Sequence, residues 1–211
     1  MVSYELVPSR TALIIFDMMN DFLLPGAPLE NVEVRDVLIP KLKKLIELSR
    51  EKGVLIVYTQ HAHRKDGSDM GLAETFWKSI KERRALIKDT NGVNIYHEIA
   101  PKQGDIVIEK RRYSAFFGTD LEMILKNRNI DTIIICGAST NIGCETTARD
   151  AANRDYKVIY PSDGSLTRDL VGIDGETIPR DLIQKVVVST LAHAFAQVMT
   201  LQQLEKELER K

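Results

Sequence analysis

The 211-residue sequence predicts an α/β protein built on a mostly parallel sheet of about six strands. Short runs that are apolar throughout alternate with longer amphipathic stretches, and this pattern is typical of strands that helices cover on both faces. Apolar residues make up 44% of the chain and charged residues 28%, as in ordinary globular proteins. A chain of this length and composition favours a single domain over residues 1–211.

Five runs of strand length define the predicted sheet. They cover residues 12–16, 54–58, 105–108, 132–136 and 157–160, and a sixth, shorter run covers 196–199. Most of these runs are continuously apolar rather than alternating, so we expect their strands to lie in the interior of the sheet.

Helix signals lie between the strand runs. An apolar stripe over residues 37–48 predicts a helix that stops near Gly53. Capping-box patterns at 119–122 and 200–203 predict two further helix starts. Pro179 predicts the first turn of another helix, because proline suits that position.

Charge and composition argue against several classes of function. The formal net charge of −1 gives no electrostatic basis for binding nucleic acid or an anionic membrane. Two cysteines are too few for a disulfide framework, which fits a reducing compartment. The first residues lack the pattern of a signal peptide, and no apolar run approaches the length of a membrane span. We therefore predict a cytoplasmic protein whose partner is a small molecule.

Polar residues follow four of the apolar runs, where the predicted strands end. Asp17 and Lys110 come directly after two of them, Gln60 lies just past another, and the turn at 140–144 follows the fourth. Ligands bind at the carboxyl ends of the strands in an open parallel sheet, so we expect the two charges to meet there. The alternative is that each charge only marks where a strand reaches solvent.

The turn after the fourth run is the most informative segment. A strand that passes through a tight turn into a helix presents backbone N–H groups, which can hold an oxyanion or an acidic substrate. A thiol at the start of that helix would also have a lowered pKa. Cys144 is either that thiol or a neighbour of the position where one belongs, and the turn alone leaves both options open.

Three segments resemble the motifs of the isochorismatase-like hydrolases, also called cysteine hydrolases. Residues 11–22, 110–119 and 137–151 are similar to the first, second and third motifs, in the same order and spacing. The resemblance implies a three-layer, Rossmann-like α/β/α fold and a homo-oligomer, either a dimer or a tetramer.

Most members of this family use an Asp–Lys–Cys triad, and the resemblance implies such a triad here. Asp17 would accept the thiol proton, Lys110 would stabilise the thiolate, and the thiolate would attack an amide or imine carbon. The resemblance also implies a cis peptide between Ser139 and Thr140, which directs backbone N–H groups at the developing oxyanion.

The nucleophile position departs from this pattern. Matching Thr140, Asn141 and Glu145 without a gap places Gly143 where the cysteine belongs, and Cys144 falls one residue later. One step along a helix rotates a side chain by about 100°. Cys144 is therefore expected to point away from the pocket and to pack as a small hydrophobe. The alternative is an irregular first turn that brings its thiol back toward the charge pair.

Isochorismatases of this family also lack the nucleophilic cysteine, and some carry the same Ile-Gly-Cys triplet. They hydrolyse a vinyl ether without a covalent enzyme intermediate. An aspartate in the Asp17 position protonates the methylene carbon of the substrate, and water attacks the resulting oxocarbenium ion. Such an acid must be protonated near neutral pH, so we expect Asp17 to become acidic only when a carboxylate-bearing substrate offsets Lys110.

Further residues are predicted to contact the substrate. Gln60 lies close to a glutamine that isochorismatases use, and three aromatic residues lie in the matched motifs: Phe22, Tyr113 and Phe116. The irregular stretch 60–104 is expected to form a wall or lid of the pocket, because long loops are usually functional. Its His61 and His63 stand where nicotinamidases of the family hold a metal, but two histidines alone do not make a zinc site. We predict that they contact substrate or solvent, and we predict no metal and no cofactor.

The sequence thus predicts a hydrolase that acts on a small, anionic metabolite through Asp17 and Lys110, without a covalent cysteine intermediate. One alternative is an amidohydrolase with Cys144 as nucleophile. Another is a catalytically silent binding protein that keeps the pocket. The intact charge pair argues against loss of activity, because a silent site has no need for it.

Overall fold

Within residues 2–211, which the computed structural model describes, a seven-stranded parallel sheet forms the centre of the fold. The strands are β1 Thr11–Phe16, β2 Leu55–His61, β3 Ile106–Lys110, β4 Thr132–Ala138, β5 Lys157–Pro161, β6 Ser165–Leu166, β7 Leu170–Val171, β8 Thr177–Ile178 and β9 Gln197–Met199. Six of them lie in the order β3-β2-β1-β4-β5-β9, and β6 pairs with the end of β4. The two remaining strands, β7 and β8, form a separate antiparallel hairpin.

Helices cover both faces of this sheet. They are α1 Asn20–Leu23, α2 Ile39–Glu51, α3 Ala73–Phe76, α4 Lys78–Lys81, α5 Leu121–Asn127, α6 Glu145–Ala152, α7 Arg180–Ala194 and α8 Leu201–Glu209. Apolar side chains of α2 and α8 pack in one core cluster, and those of α5, α6 and α7 pack in a second cluster on the opposite face. The predicted three-layer α/β/α architecture around a mostly parallel sheet is confirmed.

Three strands of the site run past their predicted ends. β2 continues to His61 and β3 to Lys110, so Gln60 and Lys110 lie within strands and not after them. β4 continues two residues beyond Cys136, because Gly137 and Ala138 pair with Ser165 and Leu166 of β6. Strands of two residues carry no periodicity, so neither β6 nor the hairpin of β7 and β8 could be predicted from the sequence.

Most of the predicted helix ends are present. Gly53 follows α2 in a left-handed conformation, with φ of 79°. Pro179 is the N-cap of α7, and Thr200 and Gln203 form the capping box that begins α8. The capping box predicted at 119–122 is wrong, because the Thr119 hydroxyl oxygen accepts the backbone N–H of Leu121 at 3.3 Å and not that of Glu122.

The long stretch between β2 and β3 is not entirely a loop. It contains α3, α4 and short 3-10 turns at Asn91–Val93 and His97–Ile99. No helix among residues 2–211 is both long enough and apolar enough to cross a membrane.

Candidate active site

Asp17 and Lys110 form a buried ion pair at the carboxyl edge of the sheet. Asp17 follows β1 and Lys110 ends β3, and β2 lies between these two strands. The Lys110 Nζ atom lies 2.8 Å from Asp17 Oδ2, and the two side chains are 0% and 7% exposed. The two charges thus meet at one edge of the sheet, as their positions at strand ends led us to expect.

Thr59 of β2 holds the carboxylate in place. Its hydroxyl donates to Asp17 Oδ1 at 2.6 Å and accepts the backbone N–H of Asp17 at 3.0 Å. Asp17 has a φ of 52°, in the left-handed region that non-glycine residues seldom occupy. The two bonds of the fully buried Thr59 therefore fix both the backbone and the side chain of the acid. Sequence analysis missed Thr59, because a threonine inside an apolar strand carries no distinctive signal.

The burial of the pair determines its protonation chemistry. Loss of water raises the pKa of the Asp17 carboxyl above its usual range, although Lys110 and Thr59 both act in the opposite direction. The Lys110 ammonium also donates to the carbonyl of Arg112 at 3.2 Å. We expected a raised pKa only with substrate bound, and the difference arises because burial alone already disfavours the ionised carboxyl.

The turn that begins the third motif is a single π-helical turn, Thr140–Cys144. A cis peptide bond lies between Ala138 and Ser139, one residue before the predicted bond between Ser139 and Thr140. The cis bond therefore lies directly after the last residue of β4 and before the turn. The Thr140 side chain is buried and donates to the Ser165 hydroxyl at 2.8 Å, so it does not face the pocket.

The backbone of this turn is partly committed to internal bonds. The carbonyl of Ser139 accepts the N–H groups of Ile142 at 3.2 Å and of Cys144 at 3.3 Å. These two donors are therefore used within the turn, and an oxyanion site at Ser139, Thr140 and Gly143 stays a prediction. Ser139 and Gly143 do lie at the cavity next to Asp17.

Cys144 lies away from the cavity. It is fully buried in the core cluster that contains Ala148 and Ala151 of α6. Burial raises the pKa of the Cys144 thiol well above its usual range, and the nearby Asp17 carboxylate raises it further while Lys110 opposes the shift. A thiol in this state is a poor nucleophile, because only the thiolate attacks.

A cavity of about 70 Å³ opens beside the Asp17 carboxylate. Its polar lining residues are Asp17, Asn31, His61, Tyr113, Ser139 and Arg168. Apolar side chains form the rest, among them Phe22, Leu29, Trp77, Ile80 and Leu86. Three of these apolar residues come from the stretch predicted as a wall, and Phe22 and Tyr113 lie where the motifs suggested. Asn31 and Arg168 belong to no motif, and sequence analysis missed both.

Two residues predicted to bind substrate lie elsewhere. The Gln60 side chain donates to the carbonyl of Val93 at 2.9 Å, because alternation along β2 turns it to the face opposite Thr59 and His61. Phe116 packs in the second core cluster, with its ring centroid 5.7 Å from that of Tyr156. His61, one residue from Gln60, is the β2 residue that reaches the cavity.

His61, at the cavity, and His63 form a buried pair. Their ring centroids are 4.9 Å apart, and the Nδ1 atom of His63 lies 3.5 Å from Asp69 Oδ1. Burial is the main cause that lowers the pKa of both rings. Among residues 2–211 no group of three or more His, Cys, Asp or Glu side chains is placed to hold a metal ion.

Comparisons with known proteins identify the family of this chain. The family model of the isochorismatase domain matches residues 11–203. N-carbamoylsarcosine amidase from an Arthrobacter species is 38% identical over 159 residues, which cover 72% of this chain and 58% of that enzyme. Ureidoacrylate amidohydrolase from Agrobacterium fabrum is 27% identical over 212 residues, covering 93% of this chain and 89% of the relative.

Solved structures show the same fold. A cysteine hydrolase from Pseudomonas syringae pv. phaseolicola superposes with a TM-score of 0.93 and 32% identity, over 99% of this chain and 97% of that one. N-carbamoylsarcosine amidase from Thermoplasma acidophilum gives a TM-score of 0.72 and 28% identity, over 91% and 96% of the two chains. The chain therefore belongs to the isochorismatase family and is a hydrolase.

Proposed function

We propose that this hydrolase cleaves a small, carboxylate-bearing metabolite by acid–base chemistry at Asp17, without a covalent cysteine intermediate. One observation carries the proposal. The carboxyl of raised pKa faces the cavity, whereas the Cys144 thiol is buried outside it. A carboxyl whose pKa is raised by burial suits proton delivery to a substrate.

The proposed reaction is hydrolysis of a vinyl ether. Protonated Asp17 delivers its proton to the methylene carbon, and the positive charge is shared between the adjacent carbon and the ether oxygen. Water adds to that carbon and returns one proton to the Asp17 carboxylate, which gives a hemiketal. The ether C–O bond then breaks as the hemiketal hydroxyl loses its proton to the leaving oxygen, which yields a carbonyl product and an alcohol. Lys110 stabilises the ionised carboxylate after the first step, because its ammonium lies 2.8 Å away.

Arg168 supports an anionic substrate. It is an exposed cationic side chain at the cavity, and one of its guanidinium N–H groups donates to the carbonyl of Leu29 at 3.2 Å. Lys110, by contrast, is enclosed by Asp17 and Arg112. A guanidinium pairs readily with a carboxylate, so Arg168 is our candidate for the substrate's anionic group.

Hydrolysis of an amide or ureide C–N bond is the second candidate. It is favoured by the relatives, since two of them are an N-carbamoylsarcosine amidase and a ureidoacrylate amidohydrolase. In this chain a covalent route would require Cys144 to leave the core, because position 143 carries no nucleophile.

Turnover assays with three substrates separate these candidates. Isochorismate, ureidoacrylate and N-carbamoylsarcosine would each be tested with the wild type, Asp17→Asn and Cys144→Ala. We expect vinyl-ether cleavage that Asp17→Asn lowers by about 10²–10⁴-fold and that Cys144→Ala leaves nearly unchanged. Loss of C–N cleavage in Cys144→Ala would favour the amidohydrolase instead. Binding without turnover of any of the three would favour the silent binding protein.

We propose further that residues 1–211 act as one domain in a cytoplasmic homo-oligomer, a dimer or a tetramer. Two large apolar side chains support an assembly, since Leu72 is 75% and Phe76 is 73% exposed and both line one surface depression next to Tyr113. Apolar side chains that stand together at a surface are typical of interaction sites. Light scattering coupled to size-exclusion chromatography measures the mass, and a monomer at micromolar concentration would contradict the assembly.

A further inference from the structure

Phe16 occupies the space into which a side chain at position 143 would extend. It is the last residue of β1, it is fully buried, and it directly precedes Asp17. A Cβ atom built on Gly143 would lie 2.1 Å from Cε1 and 2.6 Å from Cζ of the Phe16 ring. Non-bonded carbon atoms pack about 3.5–4.0 Å apart, so no side chain fits at 143 while the ring stays in place.

The reason for glycine at 143 is therefore steric and not conformational. The backbone of Gly143 lies outside the left-handed region in which glycine is favoured. Gly137, the partner of Phe16 in the pairing of β1 with β4, accommodates the backbone of the same residue. A Cβ on Gly137 would lie 2.3 Å from the Phe16 carbonyl oxygen. Two glycines thus leave room for one phenylalanine.

The Phe16 ring also covers the catalytic ammonium. Lys110 Nζ lies 4.5 Å from the ring centroid. The electron-rich face of an aromatic ring attracts a cation at this distance, and the attraction is stronger where water is excluded. In a triad with a thiolate, the lysine would have a second negative partner beside the aspartate. This site has no thiolate partner for Lys110, and the Phe16 ring lies against the ammonium instead.

We propose that Phe16 is a specificity-determining residue that excludes covalent catalysis from this site. Its ring takes the volume of a nucleophilic side chain at position 143 and shields the Lys110 ammonium. The inference rests on the proposed function, because it explains how the pocket operates without a thiolate. It also makes positions 16 and 143 a coupled pair, and that coupling is measurable without a substrate.

The first test is a thermal double-mutant cycle with Gly143→Ala and Phe16→Val. The Gly143→Ala change should lower the melting temperature by about 5 °C when Phe16 is present and by much less in the Phe16→Val background. Gly164→Ala is the matched control, because its Cβ would lie 2.8 Å from Pro161 Cβ and 3.0 Å from Cys136 Sγ. Its effect should be the same in both backgrounds. Equal losses for Gly143→Ala in the two backgrounds would overturn the proposal.

The second test asks whether a thiol can enter the site. Gly143→Cys, with and without Phe16→Val, is treated with iodoacetamide in the folded state, and labelling is located by mass spectrometry. The fully buried Cys136 and Cys144 supply the baseline. We expect residue 143 to label at least about tenfold faster in the double variant, because the thiol then reaches the cavity and the nearby Lys110 lowers its pKa. Equal rates in the two proteins would overturn the proposal.

Neither measurement depends on turnover, so failure of the proposed function and failure of this inference are distinguishable. A protein without vinyl-ether hydrolase activity would still show the coupling if the ring fills the site. If Cys136 and Cys144 also label in the double variant, that protein has unfolded, and the thermal cycle then decides alone.

Discussion

Removal of the Lys110 ammonium tests the physical basis of the site. In Lys110→Met the Asp17 carboxylate loses the cation 2.8 Å away and stays almost fully buried. Breaking a buried ion pair by deleting one partner costs about 3–5 kcal/mol, because the remaining charge has neither water nor a counter-ion. For a chain of this size, that loss lowers the melting temperature by roughly 10 °C. The double variant Asp17→Asn/Lys110→Met removes both charges and should recover most of the loss.

The cost of Lys110→Met should depend on pH in a defined direction. Burial already raises the pKa of Asp17 in the folded protein, and loss of Lys110 removes an interaction that lowers it. A carboxyl whose pKa is higher in the folded than in the unfolded chain favours the folded state below the unfolded value. This contribution is lost as the pH rises through the folded value. The variant should therefore approach wild-type stability in acid and fall progressively behind as the pH rises.

Urea denaturation from pH 5 to pH 8 measures this difference directly. Lys126→Met is the matched control, since Lys126 pairs with Glu122 at the surface and its side chain is 69% exposed. Removal of that pair should change the free energy of unfolding by less than about 1 kcal/mol at every pH. A large cost for Lys110→Met that does not vary with pH would refute the role assigned to Asp17. A double variant no more stable than Lys110→Met would refute it equally.

Three further predictions concern activity. The turnover of the wild type should fall as the pH rises through the pKa of Asp17, because the reaction requires the protonated acid. The pH–rate profile of Asp17→Asn should lack this falling limb. Thr59→Val should move this limb of the profile to higher pH, because the Thr59 hydroxyl lowers the pKa of Asp17. Thr59→Ser, which keeps a hydroxyl, should return the limb to its wild-type position. A limb that does not move in Thr59→Val would contradict the contact. Arg168→Gln should raise KM for a carboxylate substrate by about 10-fold or more, with little change in kcat, in steady-state kinetics. An unchanged KM would mean that the anionic group of the substrate binds elsewhere.

The strands and the charge pair were accessible from the sequence for one shared reason. Continuous apolar runs identify strands buried on both faces, and the carboxyl ends of parallel strands lie at one edge. Asp17 and Lys110 could therefore be placed together although β2 separates their strands. The direction of the chain and the burial of the strands are enough to place the pair, without side-chain detail.

Details that depend on a single residue step were beyond this argument. Gln60 and His61 are adjacent, and the two-residue period of a strand sends one to the carbonyl of Val93 and the other to the cavity. The cis peptide was predicted one bond too late. The end of β4 was predicted two residues too early, because its pairing with the two-residue strand β6 carries no periodic signal. Arg168 reaches the cavity from the segment after β6, where no periodic pattern or motif marks it.

The meaning of Gly143 shows why a motif cannot be interpreted one position at a time. In the sequence, glycine at this position indicates only that a nucleophile is missing. The enzyme could have lost its activity or could use a different mechanism, and the sequence is the same in both cases. In three dimensions the space is filled by Phe16, a residue from the opposite end of the motif set that also touches the Lys110 ammonium. A site that had merely lost its nucleophile would keep a void, and a void of this kind costs stability. The close packing of Phe16, Gly143 and Lys110 therefore favours a site organised for non-covalent chemistry over one that has decayed.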